Sequence, residues 1–85
     1  MIQVNIKLFA SLREQLGQQA LCLDIEPGVT ITELSRILGE VNGSEWSSIL
    51  TEDNVITAVN KIIVERTHVL QNNDELAYFP PVTGG

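Results

Sequence analysis

Apolar residues recur along this chain with two different periods. At the start, Ile2, Val4, Ile6 and Leu8 alternate with Gln3, Asn5 and Lys7. This is the period-two pattern of a strand with one face against a core and even positions turned inward. The stretch "ASLREQLG" follows as a short helix of about two turns, closed by Gly17 as a C-terminal cap. Alternation returns in "ALCLDI", where Leu21, Leu23 and Ile25 share one face and Ala20, Cys22 and Asp24 the other. After the turn "EPG", the period lengthens. Ile31, Leu34, Ile37 and Leu38 form the apolar stripe of an amphipathic helix, opened by Thr30 and Glu33 in capping-box spacing.

The second half is read in shorter pieces. In "NGSEWSSIL", Ser44 is a candidate cap for a second short helix bearing Trp46, Ile49 and Leu50, although the stretch also reads as irregular. "VITAV" is a buried strand, and "NK" turns it into "IIV", a short edge strand. "QNNDE" is a turn, and "LAYF" is the last strand, ended by Pro80 and Pro81. One main helix must then cover one face of a mixed sheet of about five strands, with short helices beside it. The expected fold is α+β, a β-grasp (ubiquitin-like) domain over residues 1–81, with a flexible C-terminal tail at 82–85. The first two strands are expected to be antiparallel neighbours, and the first and last to lie parallel at the centre of the sheet.

Such a sheet has a second face, and phase reading assigns residues to it. Phe9 is out of step with the even positions before it. If Ile62 and Val64 point inward, Ile63 points outward, and a core-facing Leu76 puts Ala77 and Phe79 outside. Phe9, Ile63 and Phe79 thus form an outward apolar set, the kind of patch that anchors a protein partner. For Phe9 and Ile63 an equal alternative is that strand-end side chains twist back over the edge of the core. Phe79 is assigned to the interface because it leads straight into "PPVTGG".

Composition narrows the chemistry. The 85 residues are 44% hydrophobic and 19% charged, which suits one small globular domain with little room for a deep pocket of its own. Net charge is −6, and the five basic residues (Lys7, Arg13, Arg36, Lys61, Arg66) are scattered, which argues against nucleic acid as a partner. Cys22 is the single cysteine. It excludes an internal disulfide or a cysteine metal site, fits a cytoplasmic location, and reads as an inert thiol. The alternating first ten residues are expected to be neither a signal peptide nor a membrane span. His68 reads as a loop residue, Arg13 and Glu14 as a solvated helix face, and Lys61 as a turn residue with a possible part in an interface. No arrangement of nucleophile and base, phosphate loop or metal-ligand spacing is present.

The tail carries the remaining signal. Pro80 holds Phe79 extended, and Pro81 sets the next step near polyproline geometry, so the arm is partly ordered before it meets anything. From Pro81 to Gly85 it reaches about 13–15 Å when extended. Gly84 and Gly85 lack Cβ atoms, so they fit a narrow channel and leave a carboxylate at Gly85 unhindered. Activated as an acyl adenylate, that carboxylate accepts sulfur to become a thiocarboxylate. The plain alternative is a frayed glycine end.

With "LFASLRE" after the first strand, "AVN" before the turn and "NDELAYFPPVTGG" at the end, the chain resembles the molybdopterin synthase small subunits, the MoaD-like sulfur carriers. The resemblance spans nearly all of the sequence and implies a β-grasp fold with a thiocarboxylate on Gly85. It implies a heterotetramer of two small and two large subunits, Phe9, Ile63, Phe79, Pro80, Pro81, Val82 and Thr83 meeting the large subunit. It further implies an ATP-dependent, E1-like adenylating enzyme, a persulfide sulfur donor, and no cofactor or metal bound to the chain itself. Sulfur would pass to a cyclic pyranopterin monophosphate, with acid and base groups on the large subunit. Other sulfur carriers (thiamine, thiolated RNA, cysteine) and ubiquitin-like modifiers share the glycine end, and an inert interaction domain is the remaining alternative. One departure stands out. The family's "DGDE" turn is "NNDE" here, so Asn73 occupies the glycine position, which Asn tolerates because it enters left-handed geometry more readily than other side chains.

Overall fold

The computed structural model describes residues 1–81. In chain order the elements are β1 (Ile2–Leu8), α1 (Ala10–Leu16), β2 (Ala20–Ile25), α2 (Ile31–Asn42), α3 (Ser44–Leu50), β3 (Ile56–Val59), β4 (Ile62–Ile63) and β5 (Glu75–Phe79). The five strands form one sheet in the order β2-β1-β5-β3-β4. β1 runs antiparallel to β2 and parallel to β5, with Ile6 opposite Leu76 and Leu8 opposite Tyr78. β3 is antiparallel to both β5 and β4. The mixed five-strand β-grasp sheet expected from the hydrophobic pattern is therefore present, with the first and last strands paired at its centre. Among the described residues no helix is long and apolar enough to cross a membrane.

The core lies between one sheet face and the helices. Val4, Ile6 and Leu8 of β1, Leu76 and Tyr78 of β5 and Val59 of β3 meet Leu12 of α1, Ile31, Leu34 and Leu38 of α2, and Trp46 and Leu50 of α3. The period-two and 3.6-residue stripes thus converge on one dry layer. Helix α2 starts where the capping box predicts: Glu33 N–H donates to Thr30 Oγ1 at 3.2 Å, and Thr30 N–H donates to Glu33 Oε1 at 3.3 Å. The second short helix forms, but Ser44 is its first helical residue rather than its cap. Gly43, at φ 120°, occupies the cap position without a side-chain hydrogen bond. The chain turns there too sharply for a residue with a Cβ atom to be comfortable.

Two contacts lock the helices down. The first is the close approach of α2 and α3. A Cβ atom on Gly39 would fall 2.4 Å from Ser47 Oγ and 2.5 Å from Ser47 Cβ, so glycine at this position sets the spacing of the two helices. The second is Arg66, in the loop after β4. Its guanidinium donates to the carbonyls of Thr51 (2.7 Å), Glu52 and Val55 (3.1 Å), just past α3. A cation at a helix C-terminus meets the partial negative charge of the last carbonyls. Its own carbonyl accepts from Thr32 N–H at 3.1 Å, which ties the same loop to the first turn of α2.

Tyr78 joins the layers by a polar bond. Its hydroxyl lies 2.7 Å from Ser35 Oγ, which in turn donates to the Ile31 carbonyl at 2.9 Å, all of it buried. Burial pushes the phenol well above its ordinary value, outweighing the opposing pull of the Ser35 hydrogen bond and the Arg66 charge.

Gly39→Ala should lower stability by about 1–3 kcal/mol through overpacking, measured by urea denaturation. Ser47→Gly in the same chain should recover part of the loss, since it removes the atoms that the new methyl meets. Tyr78 gives a pH signature. The unfolded phenol ionises near its ordinary value of about 10, while the folded one keeps its proton. Above that pH the folded state binds more protons than the unfolded state, so stability must fall as pH rises. Tyr78 is the single tyrosine, so tyrosinate absorbance should appear together with loss of structure and not before it. Tyr78→Phe should lose about 1 kcal/mol at neutral pH and decline less steeply in alkali.

Candidate functional site

The sheet face turned away from the helices is built from the residues out of phase with the core positions of each strand. Register puts Lys7 beside Ala77, Ala77 beside Ala58 and Ala58 beside Ile63, a row running straight across four strands. One step along, Phe79 lies beside Ile56. Two alanines in the middle of a row walled by Phe79, Ile56 and Ile63 leave a hollow. It has a volume of about 690 Å³ and is lined also by Phe9, Pro80, Pro81, Lys61 and Glu75.

Each wall is held by ordinary backbone geometry. Leu8 pairs with Tyr78, and Phe9 N–H then donates to the Tyr78 carbonyl at 3.2 Å, extending the parallel ladder by one residue. This seats the Phe9 ring on the Phe79 ring, stacked with centroids 4.6 Å apart and planes 9° from parallel. Phe9 remains 38% exposed and Ile63 73% exposed. Of the two readings open for these residues, the outward one holds; neither folds back over the core edge. Ile62 is 67% exposed, against the expectation that it points inward. β4 spans only two residues at the edge of the sheet, so the side facing the helices has nothing above it to cover Ile62.

The turn between β3 and β4 is fixed from the neighbouring strand. Asn60 and Lys61 both have positive φ, 51° and 73°. The Asn60 side chain accepts from Glu75 N–H at 3.0 Å and donates to Asp74 Oδ1 at 3.0 Å. The other Asp74 oxygen accepts from Gln71 N–H at 2.7 Å. Asn73 adopts φ 68°, the left-handed conformation expected at the position of the missing glycine, and its N–H donates to the Gln3 carbonyl at 2.7 Å. A compact polar clasp thereby sets both the start of β5 and the rim of the hollow.

Charge is sparse on this face. Lys7 Nζ lies 3.1 Å from Glu75 Oε2, and Lys61 stands at the rim. Cys22 is on the exposed side of β2, its thiol 2.9 Å from Asn5 Oδ1, at the opposite edge of the sheet from β4. Phe9, Ile63, Phe79, Pro80 and Pro81 are thus brought together around one hollow. Val82, Thr83, Gly84 and Gly85 lie outside the described residues. Sequence reading missed Ile56 and Ala58, because "VITAV" has no alternation to reveal its outer face.

Over residues 6–85 the chain matches the ThiS family. It belongs to that family. A relative within reach of this member is the molybdopterin synthase sulfur carrier subunit of Haemophilus influenzae, 32% identical over 82 residues that cover 96% of this chain and 99% of the relative. The crystal structure of SAMP1 from Haloferax volcanii, 26% identical, superposes with a TM-score of 0.82 over 98% of this chain and 99% of that one. Subunits 1 and 2 of the molybdopterin-converting factor from Helicobacter pylori have been solved as a complex. The matching chain there is 22% identical, with a TM-score of 0.64 over 99% of this ThiS-family chain and all of that one, a likeness of fold.

Phe79→Arg should leave this fold intact, since the side chain faces away from the core. The melting temperature should stay within a few degrees of the parent, while dye binding to the apolar face falls. Cooperative loss of structure in that variant would assign Phe79 to the core instead.

Proposed function

We propose that this chain is the sulfur carrier subunit of a molybdopterin synthase, acting in the cytoplasm with Gly85 as the sulfur-bearing residue. The observation that carries the reading is the continuity of β5. Phe79, Pro80 and Pro81 line the apolar hollow and lead directly into Val82, Thr83, Gly84 and Gly85. A large subunit docked on Phe9, Ile63 and Phe79 therefore receives the tail at the edge of its contact, within the about 13–15 Å that the arm can span. The name of the Haemophilus influenzae relative and the paired subunits of the Helicobacter pylori complex support the same reading.

The chemistry follows from what a glycine carboxylate lacks. It is a poor electrophile, so an E1-like partner uses ATP to form the acyl adenylate, releasing pyrophosphate. A persulfide sulfur attacks the acyl carbon and displaces AMP, and cleavage of the S–S bond by a thiol leaves the thiocarboxylate. Held in the partner's active site, this soft nucleophile reacts at high effective concentration. Its sulfur passes to a cyclic pyranopterin monophosphate on the way to a dithiolene. The body binds no cofactor in this scheme, and proton transfers belong to groups on the large subunit. A second reading, a modifier joined to lysines through Gly85, draws on the likeness to SAMP1, a small archaeal modifier protein.

Coexpression with an adenylating enzyme and a sulfur source should raise the intact mass by about 16 Da, one oxygen exchanged for sulfur. Deleting Gly85, or adding one residue after it, should abolish that shift and product formation without changing the melting temperature. A tail-extended variant that still makes molybdopterin unaided would refute the mechanism, and lysine-linked conjugates without the mass shift would favour the modifier.

A further inference from the structure

We propose that Lys61 is a partner-selecting residue: it presents a positive charge at the rim of the docking face to a carboxylate on the large subunit. The inference rests on the docking reading above and adds the chemistry of the matching surface.

Two independent observations carry it. The first is backbone strain. Asn60 and Lys61 form a two-residue turn with φ 51° and 73° between β3 and β4. Such turns favour Asn followed by Gly, because the second position is left-handed and a Cβ atom is costly there. Asn60 is explained by its clasp on Asp74 and Glu75. Lys61 is not explained by the fold: among the described residues its side chain makes no hydrogen bond or ion pair. A strained residue that the fold does not use points to a use outside the fold.

The second observation is charge placement. The chain has net charge −6 and five basic residues, yet two of the five line this one hollow. Lys7 is matched by Glu75 at 3.1 Å, so among the described residues lining the hollow Lys61 leaves one positive charge in excess on an otherwise acidic protein. The complementary surface is therefore apolar at its centre, to take the Phe9–Phe79 stack and Ile63, with an acidic group opposite the turn. Charges at an interface rim act mainly on encounter rate and on the choice of partner.

The test measures binding of the full chain to its cognate large subunit, together with thermal unfolding of the free chain. Lys61→Gly should raise the melting temperature by about 2–5 °C through relief of the turn. It should also weaken binding about 3- to 5-fold at roughly 0.02 M salt, with the gap closing by about 0.5 M as the rim charge is screened. Lys61→Arg should bind like the parent, and Lys61→Glu should bind worse than Lys61→Gly. Parent-like binding of Lys61→Gly at low salt, or a lowered melting temperature, overturns the inference. Phe79→Arg separates this failure from that of the docking reading. If it too binds like the parent, the face is not the docking surface at all; if it alone loses binding, the face stands and the role of Lys61 falls.

Discussion

The alternation of β5 is the constraint on which the rest of the structure depends. Leu76 and Tyr78 must point into the dry layer, which forces Ala77 and Phe79 onto the open face. The strand sits between β1 and β3, so its phase is fixed from both sides. A slip of one residue would bury Phe79 and expose Tyr78, at the cost of the Tyr78–Ser35 bond and most of the central core. Core and open apolar face are for this reason two readings of a single register. The Phe9–Phe79 stack is oriented by contacts on the far side of the sheet.

Much of this was legible from residue order alone. Alternation in β1 and β2, the Thr30–Glu33 box and the stripe of α2 depend on neighbours two to four positions away, and each formed where expected. The left-handed Asn73 was legible only through the family resemblance, which puts a glycine at that position. Three features were not. Ile62 is exposed because β4 is short and lies at an edge, a fact of the finished sheet and not of "IIV". Gly43 displaced Ser44 as the cap because the chain turns there at φ 120°, a conformation open to glycine. Ile56 and Ala58 join the hollow through cross-strand register, which no single strand encodes.

The hollow itself shows how a flat sheet acquires shape. Its depth comes from the pair Ala58 and Ala77, which meet across β3 and β5, and its walls from the larger side chains one position away. Small residues here are as specific as large ones. A larger side chain at either position would fill the recess beside the stacked rings.

The parallel pairing of β5 with β1 has a mechanical side. Force applied along residues 80–81 runs lengthwise down a strand bonded on both flanks, to β1 and to β3. Loaded in this direction, the ladder bonds share the strain at once and are not opened one after another. A body built in this way resists tension applied through its last strand.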